Sequence, residues 1–286
     1  MATKRLQEQV QRRALADVRR IAAHFTRYAG QVVRNNPGKP PEAVLHRADV
    51  LQALDTELHD AHTKLADLAT ASYQASMRFA RSKLEREYAG LGYEPPAVEL
   101  WPSGYLSGVL ADLDRAMDDA KTDILNLASA AYRGVTPPPS YQQRPGGTTN
   151  VTRELGRLRA LAVAAAVNTA MQRLDLRVRG VMSVLVTKAQ SEIQQDSYEE
   201  FGREHPTLRL GKRWMTTSAD PCDMCLALEG TIIGLDTQFS YTATLGRKPI
   251  PVFRDLQGPP RHPQCQCELE LVILPSTGVE PVQLAA

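Results

Sequence analysis

The sequence predicts an α+β protein: a body of long helices followed by a small β-rich module stapled by a metal. Three observations carry this. Apolar residues recur at three- and four-residue steps over long stretches that contain neither Gly nor Pro. After Leu208 that period gives way to short alternating runs with Gly-marked turns. All four cysteines, Cys222, Cys225, Cys265 and Cys267, fall in this second region. The charge balance, 34 Lys+Arg against 32 Asp+Glu, and an aromatic content of 6% suit extended helices better than one thick globular core.

The first helix is expected over Thr3 to Val33, with Val18, Ile21, Phe25, Tyr28 and Val32 as its apolar stripe. Arginines recur every seven residues in two adjacent rows, one holding Arg12 and Arg19, the other Arg13 and Arg20. The first 34 residues hold eight basic and two acidic groups. Arg12, Arg13, Arg19 and Arg20 are therefore candidates for contact with nucleic acid or an acidic partner, against the plainer reading of a solvated helix face.

Asn35-Asn36-Pro37-Gly38 ends this helix, and Pro41 suits the first turn of the next. Nothing breaks the second helix before Gly90. Leu51, Leu54, Leu58, Ala61, Leu65, Leu68, Ser72, Ala75 and Phe79 trace a heptad seam that packs back on the first helix. A third helix spans Ser103 to Tyr132. The Pro/Gly-rich run at 135–150 reads as a linker, which makes 1–134 an N-terminal helical region. The helical region 151–206 shows one stripe at Leu155, Leu158, Ala162, Ala165 and Thr169. A second follows at Leu174, Val178, Val181, Leu185 and Ile193, with Gly180 as a potential kink. Its final stretch, TKAQSEIQQDSYEEFG, is polar and anchored by Tyr198 and Phe201.

The module at 207–275 carries expected strands at Thr231–Leu235, Phe239–Leu245, Pro249–Phe253 and Cys267–Leu274. In the last, Cys267, Leu269, Leu271 and Ile273 share a face. Residues 276–286 read as a flexible tail. No apolar run reaches the length of a membrane span, so no membrane partner is expected. MATKRLQEQVQRR has no apolar stretch behind its charges and does not read as a secretory leader. The expected compartment is a cytosol, where clustered thiols favour metals over disulfides.

Cys222-x-x-Cys225 presents two thiolates from one tight turn, and Cys265-x-Cys267 presents two from one face of an extended segment. His262 lies three residues before Cys265. These five groups offer two ligand sets for one structural zinc: four cysteines, or three cysteines with His262, with Cys222 and Cys225 in either set. Pro221-Cys222-x-x-Cys225 is half of a zinc deaminase signature. The chemistry also needs an upstream His-x-Glu or Cys-x-Glu, and the sequence has neither. Metalloprotease, phosphate-loop and serine-hydrolase signatures are absent too, so no catalytic residue is assigned.

Trp214, Asp220, Cys222, Cys225, Gly230 and His262-Pro263-Gln264-Cys265-Gln266-Cys267, in that order, resemble the head morphogenesis domain of phage Mu F-like proteins. The polar helix ahead of them is similar to that family's lead-in helix. The likeness covers about residues 185–274. The chain departs from the family in Ala219-Asp220-Pro221, where an Arg-Thr pair is usual, and in Gln264 and Gln266, where the family usually has Asn and Arg. The resemblance implies a non-enzymatic minor capsid protein of a tailed bacteriophage. Such a protein associates with the portal protein inside the procapsid, close to major capsid or scaffolding protein and to packaged DNA. Its expected location is the interior of the phage head near the portal, with the host cytoplasm during assembly. The alternatives from the residues are a zinc-dependent, nuclease-like enzyme using Asp220, Asp223 or His205, and a structural DNA-binding protein using the arginine rows.

Overall fold

The computed structural model describes residues 2–97, 103–136, 148–218, 221–245, 248–260 and 265–275. The protein is mostly helical, with a small antiparallel sheet near the C-terminus. The long helices are α1 (Ala2–Asn35), α3 (Ala48–Leu91), α4 (Ser103–Gly134) and α5 (Thr148–Glu204); a short α2 (Pro41–Leu45) precedes α3. The C-terminal elements are β1 (Leu210–Thr216), the single turn α6 (Asp223–Leu226), β2 (Ile232–Gly234), β3 (Phe239–Leu245), β4 (Lys248–Leu256) and β5 (Cys267–Ile273).

Two compact units share these elements, and they do not follow the linear segments read from the sequence. One comprises 1–11, 69–109 and 180–286; the other comprises 12–68 and 110–179. The chain passes from one unit to the other within its long helices, at 11–12, 68–69, 109–110 and 179–180. Of the expected linker, 137–147 lie outside the described residues, as does the tail at 276–286. α5 runs unbroken through Gly180. Ser183 Oγ donates to the Gly180 carbonyl there, at 2.9 Å.

In the unit built from 12–68 and 110–179, α1 packs on α3 as expected, with Tyr28 donating to Asp49 and His24 paired with Glu57. The buried stripe of α1 is Val18, Ile21, Phe25, Ala29 and Val33, so Tyr28 and Val32 turn partly outward. The expected single second helix is broken at His46–Arg47. His46 leaves helical geometry at φ −97° and ψ 19°. Arg47 then grips Asp49, in the first turn of α3, through two hydrogen bonds of 2.9 Å. Along α3 the expected seam is buried at Leu54, Leu58, Ala61, Leu65 and Ser72, while Leu51, Leu68, Ala75 and Phe79 are half-buried and Ala69, Tyr73, Met77 and Ala80 take their places. A straight helix at about 3.6 residues per turn drifts away from a seven-residue repeat. In the first half of α5 the buried face is Ala160, Val163, Val167, Ala170 and Leu174, whereas the expected Ala165 and Thr169 are exposed. Two apolar stripes compete in this Ala-rich stretch, and the one with the bulkier Val side chains is buried.

In the other unit β1 is the central strand of a three-stranded antiparallel sheet, ordered β2-β1-β5. The sequence reading missed it, because LGKRWMT buries Lys212 and shows no clean alternation. β5 alternates as expected, burying Cys267, Leu269 and Leu271. β3 and β4 form a separate hairpin; its expected turn residue Gly246 lies outside the described residues.

An edge strand exposes backbone groups that need partners. Helix side chains supply them to β5. Gln194 Nε2 donates to Leu269 O at 2.9 Å, and Gln194 Oε1 accepts from Leu269 N. Glu87 accepts the Leu271 N–H, and Lys83 reaches Leu269 O and pairs with Glu268 at 2.6 Å. Tyr198 donates to both Glu87 oxygens at 3.0 Å. This explains the polar end of α5: Thr187, Gln190, Ser191, Gln194, Gln195 and Ser197 are buried because that face meets backbone rather than solvent. No helix among the described residues is long and apolar enough to cross a membrane.

Candidate metal centre

The centre is assembled from three short pieces of chain. Cys222 adopts extended geometry (φ −73°, ψ 156°) and starts the single turn α6, accepting from the Cys225 and Leu226 amides at 2.9 and 3.0 Å. This turn brings Cys225 inward. Gly230 then takes φ +74°, a region L side chains rarely adopt, and donates to the Trp214 carbonyl at 2.9 Å. Trp214 donates in return to Thr231 O at 3.0 Å, and its ring, fully buried, meets Phe239 edge-on with centroids 5.2 Å apart. Cys267 opens β5 directly opposite Thr216 of β1.

The outcome is that Cys225, Cys265 and Cys267, all buried, have their sulfurs within 4.8 Å of one another. Cys225 Sγ and Cys265 Sγ are 3.9 Å apart. No disulfide joins any of the four cysteines. A tetrahedral zinc with bonds of about 2.3 Å holds its sulfur ligands roughly 3.8 Å apart, so the spacing fits the ion. Cys222 is half-buried and not part of this group of three. His262 lies outside the described residues. Cys222, expected in either ligand set, therefore stands apart from the three sulfurs, whose fourth ligand is open.

Electrostatics point the same way. Hydrogen bonds from Cys265 and then Cys267, with burial behind them, push the Cys225 thiol far above its ordinary range. The hydrogen bond from Cys225 lowers Cys267, but that from Cys265 together with burial outweighs it, and Cys267 is pushed up to about 12. Three thiolates cannot be crowded together in a buried site without a counter-charge. A divalent cation reverses this penalty and deprotonates its ligands outright.

Three side chains fix the backbone around the sulfurs. Gln7 Nε2, from α1, donates to Cys265 O at 3.2 Å and to Thr187 Oγ1 at 2.7 Å. Thr187 donates to the same Cys265 carbonyl at 2.8 Å. Thr216 Oγ1 donates to Cys225 O at 3.3 Å and lies 3.8 Å from Cys267 Sγ. Sequence reasoning missed all three. The only available signal was the polar run within α5, which has no solvent-facing explanation once its period is counted.

No protein-family model matches this chain, and no curated protein or solved structure matches it. Its functional reading therefore rests on its own residues.

The remaining candidates scatter. His205 is held in an aromatic group, its ring 4.4 Å from Phe201 and 5.0 Å from Tyr93. Asp220 lies outside the described residues. Arg12, Arg13, Arg19 and Arg20 are all exposed on α1, and Arg20 pairs with Asp17 at 3.1 Å.

Proposed function

We propose that this protein is a Mu F-like head morphogenesis protein, a minor capsid component of a tailed bacteriophage, with a structural zinc at Cys225, Cys265 and Cys267. Cys222 or His262 completes the ion's shell. One observation carries the reading: both ends of the Trp214–Cys267 motif, separated by a long insertion, meet at one buried centre. When bound, zinc supplies cohesion rather than reaction chemistry, since four protein ligands leave no position for water. In small zinc modules such binding contributes about 10–16 kcal/mol to folding.

The helices would meet the portal and the inner surface of the head. The exposed arginines of α1 are the candidate contacts to packaged DNA or an acidic partner face. Co-expression with the portal protein of the same phage genome, followed by affinity capture, tests the assignment. Stoichiometric co-purification is expected. A zinc-loaded chain that never associates with portal or procapsid overturns it. Changing Arg12, Arg13, Arg19 and Arg20 to Glu should abolish salt-dependent DNA retention if those rows bind nucleic acid.

A further inference from the structure

Lys212 is fully closed off from solvent in the middle of β1. An ammonium in such a place costs several kcal/mol unless a carboxylate pairs with it. None hydrogen-bonds to it among the described residues. Its Nζ meets two neutral carboxamides, Gln195 Oε1 on α5 at 3.0 Å and Gln257 Oε1 just beyond β4 at 2.9 Å. The Phe239 ring lies below, its centroid 5.8 Å away. Burial brings the Lys212 amine down to about 8, against the weaker opposing pull of Glu199 and Asp236 at a distance. An appreciable fraction then carries a lone pair at neutral pH. The Gln195 carboxamide is held from its other end as well. Its Nε2 donates to Glu199 Oε1 and to Leu235 O. A nucleophilic amine thus touches the amide oxygen, and a carboxylate at an exposed position holds the amide nitrogen.

We propose that Lys212 and Gln195 join in an autocatalytic intramolecular isopeptide bond, with Glu199 shuttling the proton. The Lys212 Nζ lone pair adds to Gln195 Cδ, and the carbonyl π electrons move onto Oε1. The proton released by the attacking nitrogen passes through one water in the cleft to the Glu199 carboxylate, which returns it to Nε2. The carbonyl re-forms as the Cδ–Nε2 bond breaks, and one ammonia leaves. No oxidant, metal or cofactor enters the balance. A cleft of about 460 Å³ lined by Ser191, Gln195, Glu199 and Gln257 gives ammonia its way out. Gln257, whose oxygen is equally close, anchors the amine; Gln195 is the acceptor because its leaving nitrogen contacts the carboxylate.

Intact-mass measurement of the denatured full chain tests this. The expected mass is lower than that of the sequence by one ammonia, and proteolysis should release a branched peptide joining Lys212 to Gln195. Lys212→Arg should restore the full mass. Glu199→Gln, at an exposed position, should remain folded by circular dichroism yet form the link about a hundredfold more slowly. The full sequence mass with unlinked peptides in wild-type protein, after prolonged incubation in mildly alkaline buffer, overturns the proposal. A branch to Gln257 overturns the choice of acceptor. An unchanged rate in Glu199→Gln overturns the proton shuttle.

Discussion

Cys225 Sγ lies 3.9 Å from Cys265 Sγ, and its removal reports directly on the ion. In Cys225→Ser the metal content of purified protein should fall to background. The unit holding the sheet should lose several kcal/mol, read by urea denaturation. Retained zinc with unchanged stability would show that the three sulfurs do not bind it. Glu87 governs a separate, pH-linked contribution. Burial raises its carboxyl above the ordinary 4.5, against the opposing Leu271 N–H, Lys83 and Tyr198. Glu192 and Asp196 are raised by burial as well. A raised carboxyl binds its proton more tightly folded than unfolded. Its contribution is therefore present at low pH and is lost as pH climbs from about 4.5 through the folded value. Denaturation midpoints should decline over that window, and Glu87→Gln should flatten part of the slope. At this scale the sequence was uneven in what it revealed. Cysteine spacing identified the sulfurs, because chelation needs fixed local offsets. Gln7, Thr187 and Lys212 gave no such signal, because their partners are set by tertiary contacts.

Among the elements, β1 shows where pattern reading fails. β1 buries the adjacent Gly211 and Lys212 as well as Trp214 and leaves Arg213 part-exposed beside Glu270, so it shows no clean alternation; β5, burying Cys267, Leu269 and Leu271, does. Helix existence was legible from period alone, but the buried face of α5 was not, because Ala-rich helices offer more than one apolar stripe. β1 also allows a sharp test. A Cβ on Gly211 would meet Ile233 O at 2.8 Å and Ile232 Cγ2 at 3.2 Å. Gly211→Ala should push β2 off β1 and cost about 1–3 kcal/mol, with chemical shifts changing along Ile232–Gly234. An unperturbed β2 would mean that the strands accommodate the methyl group without parting.

For the whole molecule, two units assembled from non-contiguous segments predict a selective response to metal loss. Chelation should raise hydrogen exchange in 69–109 and 180–275, while 12–68 and 110–179 keep their protection. Uniform loss across both sets would show that the metal supports the entire chain. The order of synthesis follows from one hydrogen bond. Gln7 grips the Cys265 carbonyl across 258 positions. On the ribosome Gln7 emerges early, and the Cys265 carbonyl follows only after nearly all of the described chain. Cys225, Cys265 and Cys267 are made late, and their thiols are open to oxidation and to competing metals from their own emergence until the centre closes. Loading the centre is thus a late event that follows synthesis of Cys267, and its yield depends on the redox state and metal supply of the cell in which the chain is made.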